Sequence, residues 1–356
     1  MNDVTLGSFP DDWPARDGPV GVMIDIPAGL APGAADWPTL YIVGAPKCGT
    51  TALAHYLSEH RQIAFSRPKE PHFFATDMPR MRIATSAEDY LALFPGQTGG
   101  TQVRAEGSVW YLYSETAIPN ILSVSPQARF IVMLRNPIDA AHALYTQKLK
   151  SLDEDCPSFE KAFRLEDERR AGRAIPQTCR TPKTILYGDT CRYGAQLERL
   201  LRLVDRSRVK IILFDDFCRD AGRAYRDVLD FAGLPDDGRT SFPRVNESSR
   251  VLSQALNRLL RRPSLLRKAL ARPVKKLIGV RHLGVSAAIK RLNTVKASRS
   301  PLSPAFRAEL AGYFADDVTR LATLIERDLS AWMEGAPIRQ ASISRPVTSS
   351  LALKKR

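Results

Sequence analysis

The chain has 356 residues, of which 44% are hydrophobic and 25% charged, and its formal net charge is +14. This composition is typical of a globular protein, and the length is sufficient for a substantial core. No stretch of 18 or more apolar residues occurs, so the sequence predicts no membrane-spanning helix.

Residues 1–37 are rich in proline, glycine and aspartate and show no sustained period, so we expect an extended or partly disordered arm. Acidic residues and prolines stand where a signal peptide needs basic and then apolar residues. The five cysteines include no C-x-x-C pair. We therefore expect reduced thiols and a cytoplasmic location.

Three apolar runs have the length of buried strands, and each leads into a segment of helical period. The strands are predicted at residues 40–43, 129–134 and 209–214. The first two are followed by predicted helices at residues 50–60 and 138–150. Strands that alternate with helices predict a parallel sheet covered on both faces, and hence one α/β domain over residues 38–334.

The excess positive charge lies in residues 244–299, which hold 15 lysines and arginines and one acidic residue. Leucines recur there at helical intervals between prolines, which predicts a basic helical C-terminal region of short amphipathic helices. Such helices bind anionic membranes, and a plain solvated face is an equal alternative. Nucleic acid is not expected, because interleaved aromatic residues are missing. Residues 305–332 resume a balanced amphipathic helix, and residues 335–356 are predicted to be a disordered tail.

The string GAPKCGTT (residues 44–51) links the first strand to the first helix. A glycine loop in this place directs backbone N–H groups and the positive end of the helix dipole at an anion. An ATP-binding Walker A loop needs a lysine directly after its last glycine. Here Thr50 has that position, and Lys47 lies two residues before Gly49. A P-loop-like site for a phosphate-bearing donor is predicted, without the ATPase pattern.

The same string resembles the 5′-phosphosulfate loop of sulfotransferases that use 3′-phosphoadenosine-5′-phosphosulfate (PAPS), whose core is Pro-Lys-x-Gly-Thr-Thr. The resemblance covers residues 40–332 with gaps and implies PAPS as the donor. It implies that Lys47 neutralises the bridging oxygen as the S–O bond breaks. It also implies phosphate contacts by the other loop residues, Cys48, Gly49, Thr50 and Thr51.

The string RNPIDAAHALY (residues 135–145) resembles the 3′-phosphate signature of this family, RNPxxRxxSxY. A guanidinium such as Arg135 suits bidentate binding of a terminal phosphate. Ala140 and Ala143 stand where the family usually has an arginine and a phosphate-binding serine. Either a neighbouring group such as His142 or the basic segment substitutes, or the donor binds more weakly, or activity is lost. We favour substitution, because the rest of the pattern is present.

Two further strings resemble family segments near the nucleotide. The string YGDTCRYGAQL (residues 187–197) resembles a segment that lines the pocket, which implies a contact by Tyr193, although a core aromatic is an equal alternative. The string RVNESSR (residues 244–250) resembles a stretch that closes over the nucleotide in bacterial members. This second similarity implies contacts by Asn246 and Arg250.

The string KEPHFF (residues 69–74) resembles the segment that supplies the catalytic glutamate in glycan and bacterial sulfotransferases. Transfer to a hydroxyl requires removal of its proton as the O–S bond forms. The resemblance favours Glu70 as the general base and gives Lys69 a role in orienting the sulfuryl group or the acceptor. His72 is the rival base, because imidazole titrates nearer neutral pH.

The string AEGSVWYLY (residues 105–113) resembles a family segment near the acceptor and makes Ser108 and Tyr111 candidate acceptor-binding residues. The sequence thus predicts sulfuryl transfer to a hydroxyl or amine, with a glycan or glycolipid favoured and a small molecule left open. The scheme needs no metal, and the five histidines are scattered.

Two alternatives remain at this stage. An NTP-dependent small-molecule kinase is supported by the string IILFDD (residues 211–216), which looks like a Walker B strand. A non-catalytic protein that binds an anionic surface would use residues 244–299. As an accessory of an enzyme, the same segment would give peripheral contact with the inner membrane surface.

Overall fold

The computed structural model describes residue 24 and residues 33–34, 36–95, 100–243, 245, 249–251, 294–296 and 301–334. Five strands form the central sheet: β1 (Leu40–Gly44), β2 (Ile63–Phe65), β3 (Val103–Glu106), β4 (Arg129–Leu134) and β5 (Val209–Leu213). Their order is β2-β3-β1-β4-β5, and all neighbouring pairs are parallel. Every residue of β1 is buried, as expected for a strand covered on both faces.

The predicted parallel sheet is confirmed, and the three strands expected from the sequence are present. Strands β2 and β3 were not predicted, because runs of three and four residues are too short to show a period. Phe214, which we expected at the end of the third strand, instead begins a helix.

The helices in the described part of the chain lie between and after these strands. They are α1 (Thr50–Ser58), α2 (Ala87–Leu91), α3 (Ala117–Val124), α4 (Pro137–Ser151), α5 (Phe159–Arg164), α6 (Glu166–Arg170), α7 (Tyr187–Cys191), α8 (Tyr193–Leu203), α9 (Phe214–Arg219), α10 (Ala221–Ala232) and α11 (Pro304–Ile325). Short 3₁₀ turns occupy Pro79–Met81, Pro182–Ile185, Arg206–Arg208 and Ser330–Trp332.

The strand order reverses at β1. The chain passes from β1 through β2 to β3 on one side and then crosses to β4 on the other side. Because all five strands are parallel, their carboxyl ends lie along one edge of the sheet. In open α/β sheets, ligands bind at this edge, where the order reverses.

Part of the predicted organisation falls on residues outside the described ones. This applies to most of residues 1–37, to residues 335–356 and to residues 252–293 of the basic segment, so the predicted arm, tail and cationic helices stay predictions. The described parts of the basic segment include two short antiparallel strands, β6 (Ser249–Val251) and β7 (Thr294–Lys296). Strand β6 lies against α4. None of the described helices is long and apolar enough to cross a membrane.

A buried ion pair joins the segment after α4 to α6 and α7. Two guanidinium nitrogens of Arg169 each lie 2.8 Å from a carboxylate oxygen of Glu154, and both side chains are at most 1% exposed. The hydroxyl of Tyr187 also donates to Glu154, at 2.7 Å. Desolvation makes such a pair a weak source of net stability, but removal of one partner leaves the other charge buried and unpaired.

We therefore expect Arg169→Met, which keeps most of the side-chain volume, to lower the free energy of unfolding by about 3–5 kcal/mol. The control is Arg164→Met, because Arg164 makes exposed pairs with Glu160 and Glu309. Urea denaturation followed by circular dichroism measures both variants. Equal losses of unfolding free energy in the two variants would show that burial of the Arg169–Glu154 pair does not determine the size of the loss.

Candidate active site

The loop after β1 turns directly into helix α1. Gly49 makes the turn with φ 88°, a left-handed conformation that glycine adopts at little cost. A Cβ at this position would lie 3.1 Å from the Phe214 ring. Any other residue would therefore have to displace this ring as well as adopt a strained backbone.

The first-turn amides of α1 are the hydrogen-bond donors that this loop offers to an anion. The N–H groups of Thr50 and Thr51 have no acceptor within the helix, because the preceding turn is absent. They lie at the positive end of the helix dipole. The backbone donors that the predicted phosphate site requires are therefore present in the loop, and phosphate binding there stays a prediction.

Cys48 and Tyr193 support the loop from inside the protein. The Cys48 side chain is fully buried, and burial raises the pKa of its thiol to about 12. The Tyr193 hydroxyl lies 3.8 Å from the Cys48 sulfur and 3.6 Å from the Cys191 sulfur. Tyr193 is 1% exposed, so its observed contacts are with the loop, and the implied contact with a nucleotide stays a prediction.

Three of the predicted catalytic residues share an unusual backbone conformation. Lys47, Glu70 and His72 have φ values of 67°, 68° and 52°. Among the described residues only six non-glycine residues have positive φ, and these three are half of them. Such strain is maintained where the surrounding structure imposes it, most often at functional sites. The three residues share this conformation with Leu152, Ala174 and Glu326, so their catalytic roles stay predictions.

The loop after β2 brings Lys69, Glu70 and His72 together. The ammonium of Lys69 donates to Glu70 Oε1 at 2.5 Å, and His72 Nε2 lies 3.6 Å from Glu70 Oε2. The Glu70 side chain is 34% exposed, whereas that of His72 is 5% exposed. Of the two candidate bases, the carboxylate is therefore more accessible to an acceptor.

The electrostatic surroundings keep Glu70 ionised. Burial tends to raise its pKa, but the neighbouring His72 and the charge of Lys69 outweigh this effect and lower the pKa to about 2. The carboxylate is therefore ionised near neutral pH and has lone pairs to accept a proton. Its basicity in this arrangement is low, because Lys69 stabilises the charged form.

Ser108 and Tyr111 hold this loop in place from beneath. The Ser108 hydroxyl accepts from the backbone N–H of His72 at 2.9 Å, and the Tyr111 hydroxyl accepts from that of Phe74 at 3.2 Å. Both residues are fully buried. Their observed role is to support the loop, and their predicted contact with the acceptor stays a prediction.

Glu106 was not identified as a site residue from the sequence. It ends strand β3, is 0% exposed, and accepts from the hydroxyls of Tyr90 at 2.5 Å and Tyr111 at 3.2 Å. Burial raises its pKa to about 7, although hydrogen bonding opposes this shift. The sequence signal that could have found it is its place in the AEGSVWYLY string, two residues before Ser108.

The segment between Gly107 and Leu112 contacts both loops. A Cβ at Gly107 would lie 3.3 Å from Lys69 Cε, and a Cβ at Gly44 would lie 2.9 Å from Leu112 Cβ. Leu112 also donates its N–H to the Val43 carbonyl at 2.9 Å. The phosphate loop and the Glu70 loop are therefore fixed relative to each other through one segment.

Arg135 follows β4 at the same edge of the sheet. Its guanidinium carbon lies 4.7 Å from the centre of the Phe214 ring, the same ring that packs against Gly49. Asn136 caps α4 by accepting from the N–H of Ile138 at 3.0 Å. The structure thus brings Arg135 beside the phosphate loop. Asn246 lies outside the described residues, and only the backbone of Arg250, in β6, is described.

The acidic pair that suggested a Walker B strand begins helix α9. Asp216 lies 2.8 Å from a guanidinium nitrogen of Arg219 and 3.2 Å from one of Arg327. Two cations thus pair with one of the two carboxylates that a kinase would use for magnesium. Within the described ranges, no group of three or more His, Cys, Asp or Glu side chains is placed to hold a metal ion.

The fold and the loop after β1 define an α/β protein with a P-loop-like strand–loop–helix unit. Residues 38–250 match the model of the sulfotransferase domain family, and the chain belongs to this family. This match confirms the resemblance seen in the phosphate loop, Arg-Asn-Pro and KEPHFF strings.

Similar proteins include heparan sulfate glucosamine 3-O-sulfotransferase 6 of Mus musculus, 34% identical over 140 residues, which are 39% of each chain. Carbohydrate sulfotransferase 15 of Homo sapiens is 23% identical over 247 residues, 55% of this chain and 44% of that protein. The chain thus spans less than half the length of these two relatives. The crystal structure of a sulfotransferase from Alicyclobacillus acidocaldarius is 28% identical, with a TM-score of 0.59, and the match covers 83% of this chain and 98% of that one.

The raised pKa of Glu106 predicts a specific pH dependence of stability. Folding favours the protonated carboxyl, because the pKa of about 7 exceeds the ordinary value of 4.5. This contribution is complete below pH 4.5 and is lost as the pH rises through about 7. Relative to Glu106→Gln, the wild type should therefore lose up to about 3 kcal/mol between pH 5 and pH 8.

Urea denaturation of wild type and Glu106→Gln at both pH values measures this difference. Glu88→Gln, on the exposed face of α2, controls for the loss of one carboxylate. A stability difference that is the same at the two pH values would contradict the assignment of a neutral buried carboxyl.

Proposed function

We propose that this protein is a PAPS-dependent sulfotransferase that acts on a hydroxyl of a carbohydrate acceptor. The proposal rests on one observation: the loops after β1 and β2 lie at the same edge of the sheet. One loop presents Lys47 and the first-turn amides of α1, and the other presents the ionised carboxylate of Glu70. Segment 107–112 packs against both loops and so fixes their relative position.

PAPS supplies the sulfuryl group, and cleavage of its S–O bond leaves adenosine 3′,5′-bisphosphate. On this proposal, the Lys47 ammonium and the N–H groups of Thr50 and Thr51 stabilise the negative charge that develops on the departing phosphate oxygen. Fixed donors at a developing anion are usually the largest catalytic contribution, and one such donor is worth about 3–4 kcal/mol where tested.

Glu70 then accepts the proton of the attacking hydroxyl. Its low pKa makes it a weak base while Lys69 is bound to it. If Lys69 turns toward the sulfuryl oxygens in the ternary complex, Glu70 loses a stabilising charge and becomes more basic. His72 is held by Ser108 and is nearly buried, which favours a role in orienting Glu70.

The acceptor is inferred from the relatives. Their names specify heparan sulfate glucosamine and carbohydrate as the compounds on which those proteins act. Together with the Glu70 loop, they support a glycan or glycolipid acceptor over a small molecule. Family membership and the two arginines on Asp216 weigh against the kinase alternative.

Calorimetric titration with adenosine 3′,5′-bisphosphate tests the donor site. We expect Lys47→Ala to weaken binding of the bisphosphate about tenfold or more, because one charge-assisted contact is lost. ATP with magnesium should bind weakly to both proteins. If ATP with magnesium binds tightly and the bisphosphate does not bind, the proposal is wrong and the kinase alternative replaces it.

Transfer of radiolabelled sulfate from PAPS to a panel of heparan-type oligosaccharides tests the base. Glu70→Gln should lower kcat by about 10²-fold or more, since a general base contributes at least this factor. Its affinity for the bisphosphate should stay within about twofold, because the loop that binds phosphate is separate. Glu88→Gln is the control. A larger loss of kcat in His72→Gln than in Glu70→Gln would assign the base to His72.

A further inference from the structure

The alanines of the 3′-phosphate signature leave one face of α4 without side-chain donors. Ala140 and Ala143 are 0% and 3% exposed, and each presents only a methyl group. Asp139 lies one helical turn before Ala143, so these positions belong to one contiguous surface. A phosphate bound at this surface needs its donors from another part of the chain.

Arg307 reaches this surface from the first turn of α11. Its Nη1 donates to Asp139 Oδ1 at 3.0 Å, and its side chain is 15% exposed. Its Nε and Nη2 atoms are buried and have no hydrogen-bond partner among the residues that the structure describes. Buried guanidinium donors are seldom left unbonded, so these two are available to an anion.

The two unbonded donors are suitably arranged for a phosphate. Nε and Nη2 lie on the same edge of the guanidinium plane, and this edge can donate two parallel hydrogen bonds to two oxygens. The bond from Nη1 to Asp139 fixes the orientation of the plane. The carboxylate therefore positions Arg307 and offsets part of its charge.

Arg135 approaches the same end of α4 from β4. Asp215 has a raised pKa, for which burial is the largest cause, while Arg135 lowers it and Asp139 raises it. Asp215 is therefore within electrostatic range of both Arg135 and Asp139. Arg135, two residues before α4, and Arg307, bound to Asp139, thus both lie near the first turn of this helix.

His142, one of the substitutes considered from the sequence, has a different environment. Its ring stacks on Phe159 with centroids 5.2 Å apart and an interplanar angle of 17°. It also stacks on Tyr145, at 6.5 Å. The imidazole thus packs toward α5. The other substitute, the basic segment, lies largely outside the described residues.

We propose that Arg307 binds the 3′-phosphate of the nucleotide through Nε and Nη2, in place of the serine and arginine found in other family members. This inference rests on the proposed function, because it requires adenosine 3′,5′-bisphosphate as a ligand. Arg135 supplies the second guanidinium, and Asp139 acts as a positioning residue for Arg307.

A comparison of two nucleotides distinguishes binding of the 3′-phosphate by Arg307 from a general effect of Arg307 on folding. Adenosine 3′,5′-bisphosphate carries the 3′-phosphate, and adenosine 5′-phosphosulfate lacks it. Calorimetry on the full chain should show that Arg307→Ala weakens the bisphosphate about tenfold or more and changes the phosphosulfate less than about twofold. Arg320→Ala is the matched control, because Arg320 is an exposed arginine of the same helix that pairs with Glu198.

A second variant restores a hydrogen-bond donor at Ala143 of α4. Adding Ala143→Ser to Arg307→Ala should recover part of the lost affinity for the bisphosphate and leave the phosphosulfate unchanged. Thermal unfolding of each variant checks that the fold is intact.

Three other outcomes of the calorimetry would contradict the inference, and each has a different meaning. Equal weakening of both nucleotides by Arg307→Ala would show a structural role for Arg307. No weakening of either would show that Arg307 does not touch the nucleotide, while the proposed function would stand. Failure of the wild type to bind the bisphosphate would overturn the proposed function and this inference together.

Discussion

The ring of Phe214 connects the loop after β1 with Arg135, the two halves of the proposed donor site. It contacts the position of Gly49 on the loop after β1, and the guanidinium of Arg135 lies over it. The ring is held at the start of α9 because β5 pairs in register with β4. The loop after β1 and Arg135 therefore keep a fixed separation, which the proposed binding of two phosphates on one nucleotide requires.

The Glu70 loop depends on a second buried arrangement. Glu106 and Tyr111 lie under the loop, and Ser108 and Tyr111 bind its backbone N–H groups. A buried carboxyl with a raised pKa costs stability at neutral pH. The bonds to Ser108 and Tyr111 hold the strained backbone at Glu70 and His72 in one conformation. Stability is thus reduced directly beneath the loop that carries the proposed general base.

Short strings of the sequence were sufficient to predict the class of fold and the family to which the chain belongs. The loop after β1, the KEPHFF string and Arg135 each come after a strand, and parallel strands place the segments at their carboxyl ends along one edge. Strands β2 and β3 were missed because they have only three and four residues. The supporting roles of Ser108, Tyr111 and Tyr193 depend on contacts between distant segments, which no local pattern reveals.

The sequence by itself determined the glycine turn, the lysine at its apex, the carboxylate string and the loss of two phosphate-binding side chains. These features are local, because backbone conformation and the chemistry of a short motif depend on adjacent residues. The tertiary structure alone decided that Glu70 is ionised between Lys69 and His72 and that Glu106 is buried. It also placed Arg307 on Asp139, 168 residues away in the chain. Burial and charge pairing arise only when such distant segments pack together.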